Sequence, residues 1–207
     1  MRYPRTTRDV LDGASFAIER GRSAAILGPS GSGKSTLLSV LGGLLRPDAG
    51  TAHVDLGSQD PDDAAVALRD VTAWVLQTTN VLPDRSALDN VAVAALTQHG
   101  DRRHARAEAE RQLESVGLAD RAHDTARLLS GGELQRVVIA RALASGRPFV
   151  LADEPTGQLD RSTSAMVLEA LLRSSGDAGL VIVTHDPEVA ARCDVMVRID
   201  DGRVVAA

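Results

Sequence analysis

Cysteine is almost absent from this sequence of 207 residues. The single cysteine, Cys193, cannot form a disulfide within the chain, and it cannot supply the several thiolates of a cysteine-rich zinc site. The sequence therefore excludes a disulfide-framed secreted module and a cysteine-rich zinc domain. It is compatible with a reducing compartment.

Aromatic residues are scarce, and the charge balance is slightly acidic. Aromatics make up 2% of the residues, and 23 basic against 28 acidic side chains give a formal net charge of −5. Nucleic-acid-binding proteins usually present clustered basic residues or aromatic platforms for the bases. We therefore predict no nucleic-acid partner.

Long apolar runs are missing as well. Stretches such as Val91–Leu96 are far shorter than the roughly 20 residues that a membrane-spanning helix needs. The first ten residues, MRYPRTTRDV, lack the apolar core of a signal peptide. We expect a cytoplasmic protein that reaches a membrane only by binding a component embedded there.

Short apolar strands alternate with helical patterns along the chain, which is typical of an α/β domain with a mainly parallel sheet. The strands predicted for this core are Ser23–Leu27, Phe149–Ala152, Leu180–Val183 and Val195–Ile199. Val10–Ile18 and Thr51–Leu56 are predicted to form a small antiparallel β part near the N-terminus.

A helix is predicted directly after the first core strand, over Lys34–Leu45. Its leucines recur at helical spacing, so that one face is apolar. The leucines expected on that face are Leu37, Leu38, Leu41 and Leu44.

The middle of the chain, residues 78–136, shows helical patterns and no convincing strand. Within it, Asp101–Val116 mixes arginine and glutamate, which is typical of a solvated helix with ion pairs one turn apart. We expect one domain in which a helical subdomain of about residues 78–136 is inserted into a core of residues 1–77 and 137–207.

A phosphate-binding pattern follows the first core strand. Gly28-Pro-Ser-Gly-Ser-Gly-Lys-Ser-Thr36 matches G-x-x-x-x-G-K-[ST] between a strand and a helix. Glycines let backbone N–H groups face phosphate oxygens, and a helix N-terminus favours negative charge. Lys34 would reach the β- and γ-phosphates, and the Ser35 hydroxyl would ligate Mg²⁺. The predicted phosphate-binding residues are Gly28, Pro29, Ser30, Gly31, Ser32, Gly33, Lys34, Ser35 and Thr36.

Two carboxylates end the apolar strand that begins at Phe149. Ligands of open α/β sheets lie at the carboxyl ends of the strands. Asp153 is therefore expected to hold Mg²⁺, directly or through water. Glu154 is expected to act on the water that attacks the γ-phosphate, as base or as positioner.

A second glycine pair opens another helical pattern at Leu129-Ser-Gly-Gly-Glu133. Ser130 is a natural N-cap, and Glu133 three residues later completes a capping box. This helix start is also a candidate anion site. Two phosphate-seeking helix starts in one chain suggest two chains head to tail, each completing the nucleotide site of the other.

Six motifs together make this sequence similar, over nearly its whole length, to the nucleotide-binding subunit of an ATP-binding-cassette (ABC) transporter. In the order of that family they are the P-loop, Gln77 of the Q-loop, the signature Leu129–Glu133, the strand ending in Asp153 and Glu154, the D-loop Thr156–Asp160, and His185. The resemblance implies a P-loop NTPase core of the RecA-like type and hydrolysis of ATP with Mg²⁺.

The resemblance also implies roles for single residues. Gln77 would contact Mg²⁺ and the attacking water, His185 would contact the γ-phosphate, and Asp160 would cross a dimer interface. The signature residues Ser130, Gly131, Gly132 and Glu133 would close on the nucleotide of the partner subunit. The implied partners are a second nucleotide-binding subunit and integral membrane permease subunits, which would hold the chain at the inner face of the membrane.

Two features depart from the commonest form of the family. Glu133 stands where many members have glutamine, and Tyr3, the candidate for stacking on adenine, has almost nothing ahead of it. Stretches such as Leu88–Val91 and Asp153–Gly157 resemble the subgroup of lipoprotein-release and macrolide-export ATPases. The alternative is a soluble ATPase of the same superfamily, such as an iron–sulfur-assembly ATPase.

Overall fold

The computed structural model describes Met1, residues 9–55 and residues 67–206. Its centre is a six-stranded sheet in the order β2-β3-β4-β1-β5-β6, in which only β6 is antiparallel to its neighbour. The strands are β1 (Ser23–Leu27), β2 (Thr72–Val75), β3 (Phe149–Asp153), β4 (Gly179–Val183), β5 (Val195–Asp200) and β6 (Arg203–Ala206). The sequence thus predicted β1, β3, β4 and β5 to within a residue at each end.

Helices connect and cover these strands. They are α1 (Lys34–Leu41), α2 (Leu68–Val71), α3 (Ala87–His99), α4 (Arg102–Ser115), α5 (Gly131–Ala144), α6 (Arg161–Ser174) and α7 (Pro187–Ala190). Short 3₁₀ turns at Ala119–Arg121 and Ala126–Leu128 lead from α4 to α5. Residues 78–136 contain no strand of the sheet, as predicted, and none of the described helices is long and apolar enough to cross a membrane.

Two apolar clusters cover the two faces of the sheet, because successive side chains of a strand point to opposite sides. Val150 and Ile182 pack with helices α3 to α6 on one face. Leu151 and Val183, their neighbours in sequence, pack with α1 on the other face. Burial on both faces explains why the central strands are continuous apolar runs. Parallel pairing of β2 with β3 and of β3 with β4 brings the carboxyl ends of these strands side by side.

The predicted helix Lys34–Leu45 is wrong at its end, because α1 stops at Leu41. Gly42 caps the helix, and a Cβ there would lie 2.1 Å from the indole of Trp74, so the site accepts only glycine. Gly43 then adopts a φ of 68°, which turns the chain away. Leu44 consequently leaves the apolar face and is 62% exposed.

The predicted antiparallel strands near the N-terminus are also wrong where they are described. No strand lies in residues 9–22 or 51–55, whereas Leu56 is outside the described residues. The backbone N–H groups of Val10 and Leu11 bond to Met1 O, and that of Asp12 bonds to Gly202 O. Gly13 then turns the chain with a φ of 62°. These scattered bonds replace the regular ladder that a strand pair needs.

The helix α4 confirms the predicted solvated character of this stretch. Asp101 caps it by accepting from the N–H groups of Arg103 and His104. Arg106 pairs with Glu110 one turn later, and Arg111 pairs with Glu108. The pair of Arg106 and Glu110 is exposed on both sides, and a pair of this kind contributes only about a few tenths of a kcal/mol.

Candidate active site

The phosphate-binding loop lies between β1 and α1, as predicted. A Cβ on Gly28 would lie 2.3 Å from Ile199 O, and one on Gly33 would lie 2.6 Å from Val10 O. Gly33 also has a φ of 104°. Both positions therefore need glycine, and the backbone between them is free to face a ligand. Ser32 Oγ is buried in this loop and, within the described residues, has no hydrogen-bond partner.

Lys34 is the only lysine in the sequence, and its side chain folds over the loop. Its Nζ donates to Gly28 O at 2.8 Å and to Pro29 O at 2.9 Å, and the residue is only 9% exposed. The cation therefore sits where the loop backbone and the first turn of α1 meet.

Ser35 and Asp153 form an oxygen pair beside Lys34. Ser35 Oγ donates to Asp153 Oδ1 at 3.3 Å. Burial raises the pKa of Asp153 and the charge of Glu154 raises it further, whereas the Ser35 bond and Lys34 lower it. Hydroxyl and carboxylate oxygens are ligands that Mg²⁺ accepts, and Mg²⁺ usually takes its other ligands from water and phosphate. The pair fits that ion, although no cluster of three metal-binding side chains occurs among the described residues.

Glu154 and His185 come from the ends of the adjacent strands β3 and β4. His185 Nδ1 lies 2.9 Å from Glu154 Oε2 and 3.0 Å from Oε1. Glu154 has a φ of 47°, a strained conformation for a residue with a Cβ, and its N–H bonds to Val183 O at 2.9 Å. Strain of this kind is held only where the surroundings over-determine the conformation, which is common at active sites.

Gln77 follows β2, the next strand in the sheet. A Cβ on Gly157 would lie 3.1 Å from Gln77 Nε2 and 3.5 Å from the Cβ of Glu154, so the Gln77 amide lies at the turn after Glu154. The three strands thus deliver Gln77, Glu154 and His185 to one edge of the sheet. A cleft of about 390 Å³ opens there and is lined by Val10, Ser30, Gly31, Gly33, Lys34, Ser35, Thr36, Asp153, Glu154, Val183 and His185.

The signature residues begin α5 with the predicted capping box. Glu133 N donates to Ser130 Oγ at 3.3 Å, and Ser130 N donates to Glu133 Oε2 at 2.8 Å. The bonds from Ser130 lower the pKa of Glu133, and Arg121 lies 3.4 Å from its other oxygen. A Cβ on Gly132 would lie 2.1 Å from Thr163 Cγ2, so this glycine also allows α5 and α6 to approach closely.

The structure does not bring the signature to the P-loop cleft of the same chain. None of the residues 129–133 lines that cleft. Asp160 caps α6 and accepts from both the N–H and the hydroxyl of Ser162 and of Thr163, which lowers its pKa. Tyr3 lies outside the described residues.

One protein-family profile covers most of this chain. The profile of the family described as ABC transporter matches residues 11–157. The chain belongs to the ABC transporter family.

Curated relatives place this ABC ATPase more closely. It is 46% identical to the lipoprotein-releasing system ATP-binding protein LolD of Bordetella pertussis, over 95% of this chain and 87% of the relative. It is 42% identical to LolD 1 of Rhodospirillum rubrum, over 98% of this chain and 92% of the relative. It is also 42% identical to the macrolide export protein MacB of Rhodopseudomonas palustris, over 92% of this chain but 30% of that longer protein. These relatives confirm the predicted subgroup.

Solved structures confirm the fold class and the enzymatic class. The dimeric, post-hydrolysis ATP-binding cassette MJ0796 bound to ADP and Pi matches with a TM-score of 0.79 and 33% identity, over 99% of this chain and 92% of that one. The cassette cbiO1 of Clostridium perfringens matches with a TM-score of 0.81 and 26% identity, over 95% and 80%. The chain is an ATP-binding ATPase subunit of the transporter type, which is favoured over the soluble alternative.

Sequence reasoning missed two side chains of α5 that bond to the main chain on either side of Gln77. Gln135 is 2% exposed, and Arg141 donates to Asn80. The signal for Gln135 was a polar residue on the apolar face of a helix, three positions before the buried Val138. No comparable signal marks Arg141, because its partner is 61 residues away in the chain.

Proposed function

We propose that this ABC ATPase hydrolyses Mg·ATP with Glu154 as the general base, as one half of a head-to-tail pair that drives a membrane permease. The contact between Glu154 and His185 at the cleft that also contains Lys34 is the observation that carries this proposal. It places a carboxylate and an imidazole beyond the loop that would hold the phosphates.

The residues Gly28 to Thr36 would bind the triphosphate. Backbone N–H groups of the loop and of the first turn of α1 would donate to its oxygens. Lys34 would exchange Gly28 O and Pro29 O for oxygens of the β- and γ-phosphates, which requires only a swing of its flexible side chain. Tyr3 is proposed to stack on adenine.

Ser35 and Asp153 would hold the metal, and Gln77 would approach it from β2. When bound, Mg²⁺ supplies positive charge that offsets the charge on the phosphate oxygens. Burial raises the pKa of Asp153, and a cation bound beside it would favour its ionised form.

Hydrolysis would begin with a water aligned beside Glu154. The water oxygen attacks the γ-phosphorus, its proton passes to the Glu154 carboxylate, and the bond from the γ-phosphorus to the bridging oxygen breaks to give ADP and phosphate. Because Nδ1 of His185 faces Glu154, the other ring nitrogen is the one left for a γ-phosphate oxygen. Gln77, whose amide lies at the turn after Glu154, would help to orient the water.

A second copy of the chain is the proposed source of the signature residues. The signature lines no part of its own P-loop cleft, yet it presents a capped helix start with two glycines. Ser130, Gly131, Gly132 and Glu133 of one subunit would then close on the γ-phosphate bound by the other. Asp160 would lie near this interface in addition to capping α6.

A membrane permease is the proposed second partner, since the relatives are named for lipoprotein release and macrolide export. We propose that Thr78–Asn90 contacts it. The buried Asn90 supports a fixed shape for this stretch, because its side chain accepts from Leu82 N at 2.6 Å and donates to Ser86 O at 2.9 Å. The chain would lie at the cytoplasmic face of the membrane.

The test is Glu154→Gln in the full chain. The amide preserves the shape but cannot accept the proton, so turnover should fall by about 100-fold or more. Mg·ATP binding, measured by equilibrium titration, should persist. Wild-type turnover in this variant would contradict the assignment of the base.

A further inference from the structure

Two side chains of α5 hold the backbone on either side of Gln77. Gln135 Nε2 donates to Leu76 O at 3.1 Å, directly before Gln77. Arg141 Nη1 donates to Asn80 O at 2.7 Å, three residues after it, and Nη2 donates to Asn80 Oδ1. We name residues 76–80 the Gln77 segment.

The spacing of these two anchors suits the segment they hold. Six residues of helix rise about 9 Å, and the four Cα–Cα steps from residue 76 to residue 80 span at most about 14 Å when extended. The segment is therefore long enough to reach from Gln135 to Arg141. Both of its ends are fixed to the same rigid helix.

Arg141 uses a half-buried cation for this contact. Burial lowers the pKa of its guanidinium, and within the described part of the chain it makes no ion pair. Among the described residues its guanidinium bonds to the neutral oxygens of Asn80, and its exposed part is open to water. Because part of this cation is withdrawn from water, the bonds to Asn80 offset a desolvation cost, which ties the position of Asn80 to that of α5.

The same helix begins at the signature. Ser130 caps α5, and Gln135 and Arg141 lie farther along it. In the segment that Gln135 and Arg141 hold, the Gln77 amide lies beside the turn after Glu154. Helix α5 therefore connects the region that faces a partner's nucleotide with a side chain at the chain's own hydrolytic site.

We propose that Gln135 and Arg141 are positioning residues for hydrolysis, which make the Gln77 segment follow α5. This inference rests on the proposed function, specifically on the role of Gln77.

A double-mutant cycle on the full chain tests the proposal. Steady-state ATPase rates are compared for wild type, Arg141→Met, Gln77→Ala and the double variant. Misplacement of Gln77 should lower kcat by about tenfold in Arg141→Met. KM for ATP should stay nearly unchanged, because the P-loop is untouched. The double variant should be no slower than Gln77→Ala alone, because Arg141 acts through Gln77.

Arg147→Met is the matched control. Arg147 also donates to a main-chain carbonyl of β2, the strand that precedes Gln77. Its acceptor is Thr72 O, 2.5 Å away, at the start of that strand and therefore far from Gln77. This variant should retain its kcat. Arg141→Lys should recover part of the lost rate, since an ammonium can still reach one oxygen of Asn80. Thermal unfolding shows whether each variant is folded, and if Arg141→Met is not, Gln135→Leu takes its place in the cycle.

If the fold-loss of kcat in the double variant equals the product of the fold-losses in the two single variants, the inference is overturned, because Arg141 then acts independently of Gln77. An equal loss of kcat in Arg147→Met would overturn it too, since the effect would then be general destabilisation. If Gln77→Ala itself keeps wild-type turnover, the proposed role of Gln77 fails, and this inference fails with it. If the losses of kcat are independent and Gln77→Ala is itself slow, only this inference fails and the proposed function stands.

Discussion

His185 Nδ1 lies 2.9 Å from Glu154 Oε2, so the imidazole directly holds the carboxylate proposed as the general base. The two residues follow neighbouring parallel strands, and the Glu154 N–H is itself bonded to Val183 O on the strand that leads to His185. Side chain and backbone of Glu154 are thus both fixed by β4, which accounts for its unusual φ of 47°.

Lys34→Ala should abolish ATP hydrolysis and weaken nucleotide binding. The variant loses the flexible cation that folds over the loop, so a drop in turnover of about 100-fold or more is expected. Steady-state ATPase assays and ATP titration measure the two effects. Wild-type turnover in Lys34→Ala would refute the assignment of the loop to the triphosphate.

The absence of any other lysine allows a direct test of where ATP binds. An amine-reactive reagent can modify only Lys34 and the N-terminal amine. Mg·ATP should slow modification of Lys34 strongly, because its Nζ would then face phosphate oxygens, whereas AMP, which lacks the β- and γ-phosphates, serves as the control and should protect it little. Peptide mass spectrometry measures the rate at Lys34. Equal rates at Lys34 with and without Mg·ATP would count against the proposed contact.

Charge reversal at Asp84 should uncouple transport from ATP hydrolysis. Asp84 is 74% exposed on the proposed permease contact and pairs with Arg127 at 2.7 Å. Asp84→Arg should lose transport in the reconstituted transporter while the ATPase rate of the isolated chain stays nearly unchanged. Asp84 is preferable to Asp89, which lies in the first turn of α3.

The charge-swapped variant Asp84→Arg with Arg127→Asp separates two explanations of that result. The swap restores the internal pair but not the charge presented to a permease, so transport should remain impaired. Recovery of transport would mean that only the pair within the chain matters.

The contribution of the α6 cap residue Asp160 to the free energy of unfolding should depend on pH. The pKa of Asp160 is lowered by bonds from Ser162 and Thr163, so the ionised form is favoured in the folded chain. Its contribution is present above the unfolded pKa of about 3.9 and is lost as pH falls through the lower folded value. Wild type should unfold at a higher temperature than Asp160→Asn near neutral pH, and the gap should narrow below about pH 4. A gap that widens on acidification would contradict this origin.

The sequence predicted the features that depend on local chemistry. β1, β3, β4 and β5 were predicted because strands covered on both faces are continuous apolar runs. The P-loop and the Ser130 cap were predicted because glycine and capping patterns are short and specific. The end of α1 was missed because it depends on the indole of Trp74, which lies against Gly42 only in the folded chain.

Contacts between distant segments could not be predicted. Gly132 has a signal as an anion-binding glycine, but its close approach to Thr163 appears only when α5 packs on α6. The bond from Arg141 to Asn80 likewise joins segments whose spacing in sequence carries no pattern. The predicted strand Val10–Ile18 was wrong because its first residues bond to Met1 O and Gly202 O in a pattern that is not the regular ladder of a strand pair.

The mass of Glu154→Gln in solution with Mg·ATP tests the central claim most directly. Since this variant should bind ATP without hydrolysing it, the ATP bound by each subunit should hold the signature of the other. Light scattering after gel filtration should show twice the chain mass with Mg·ATP and the mass of a single chain with ADP. The double variant Glu154→Gln with Lys34→Ala should show the mass of a single chain even with Mg·ATP. A strictly monomeric chain at high protein concentration with saturating Mg·ATP would contradict the head-to-tail pair.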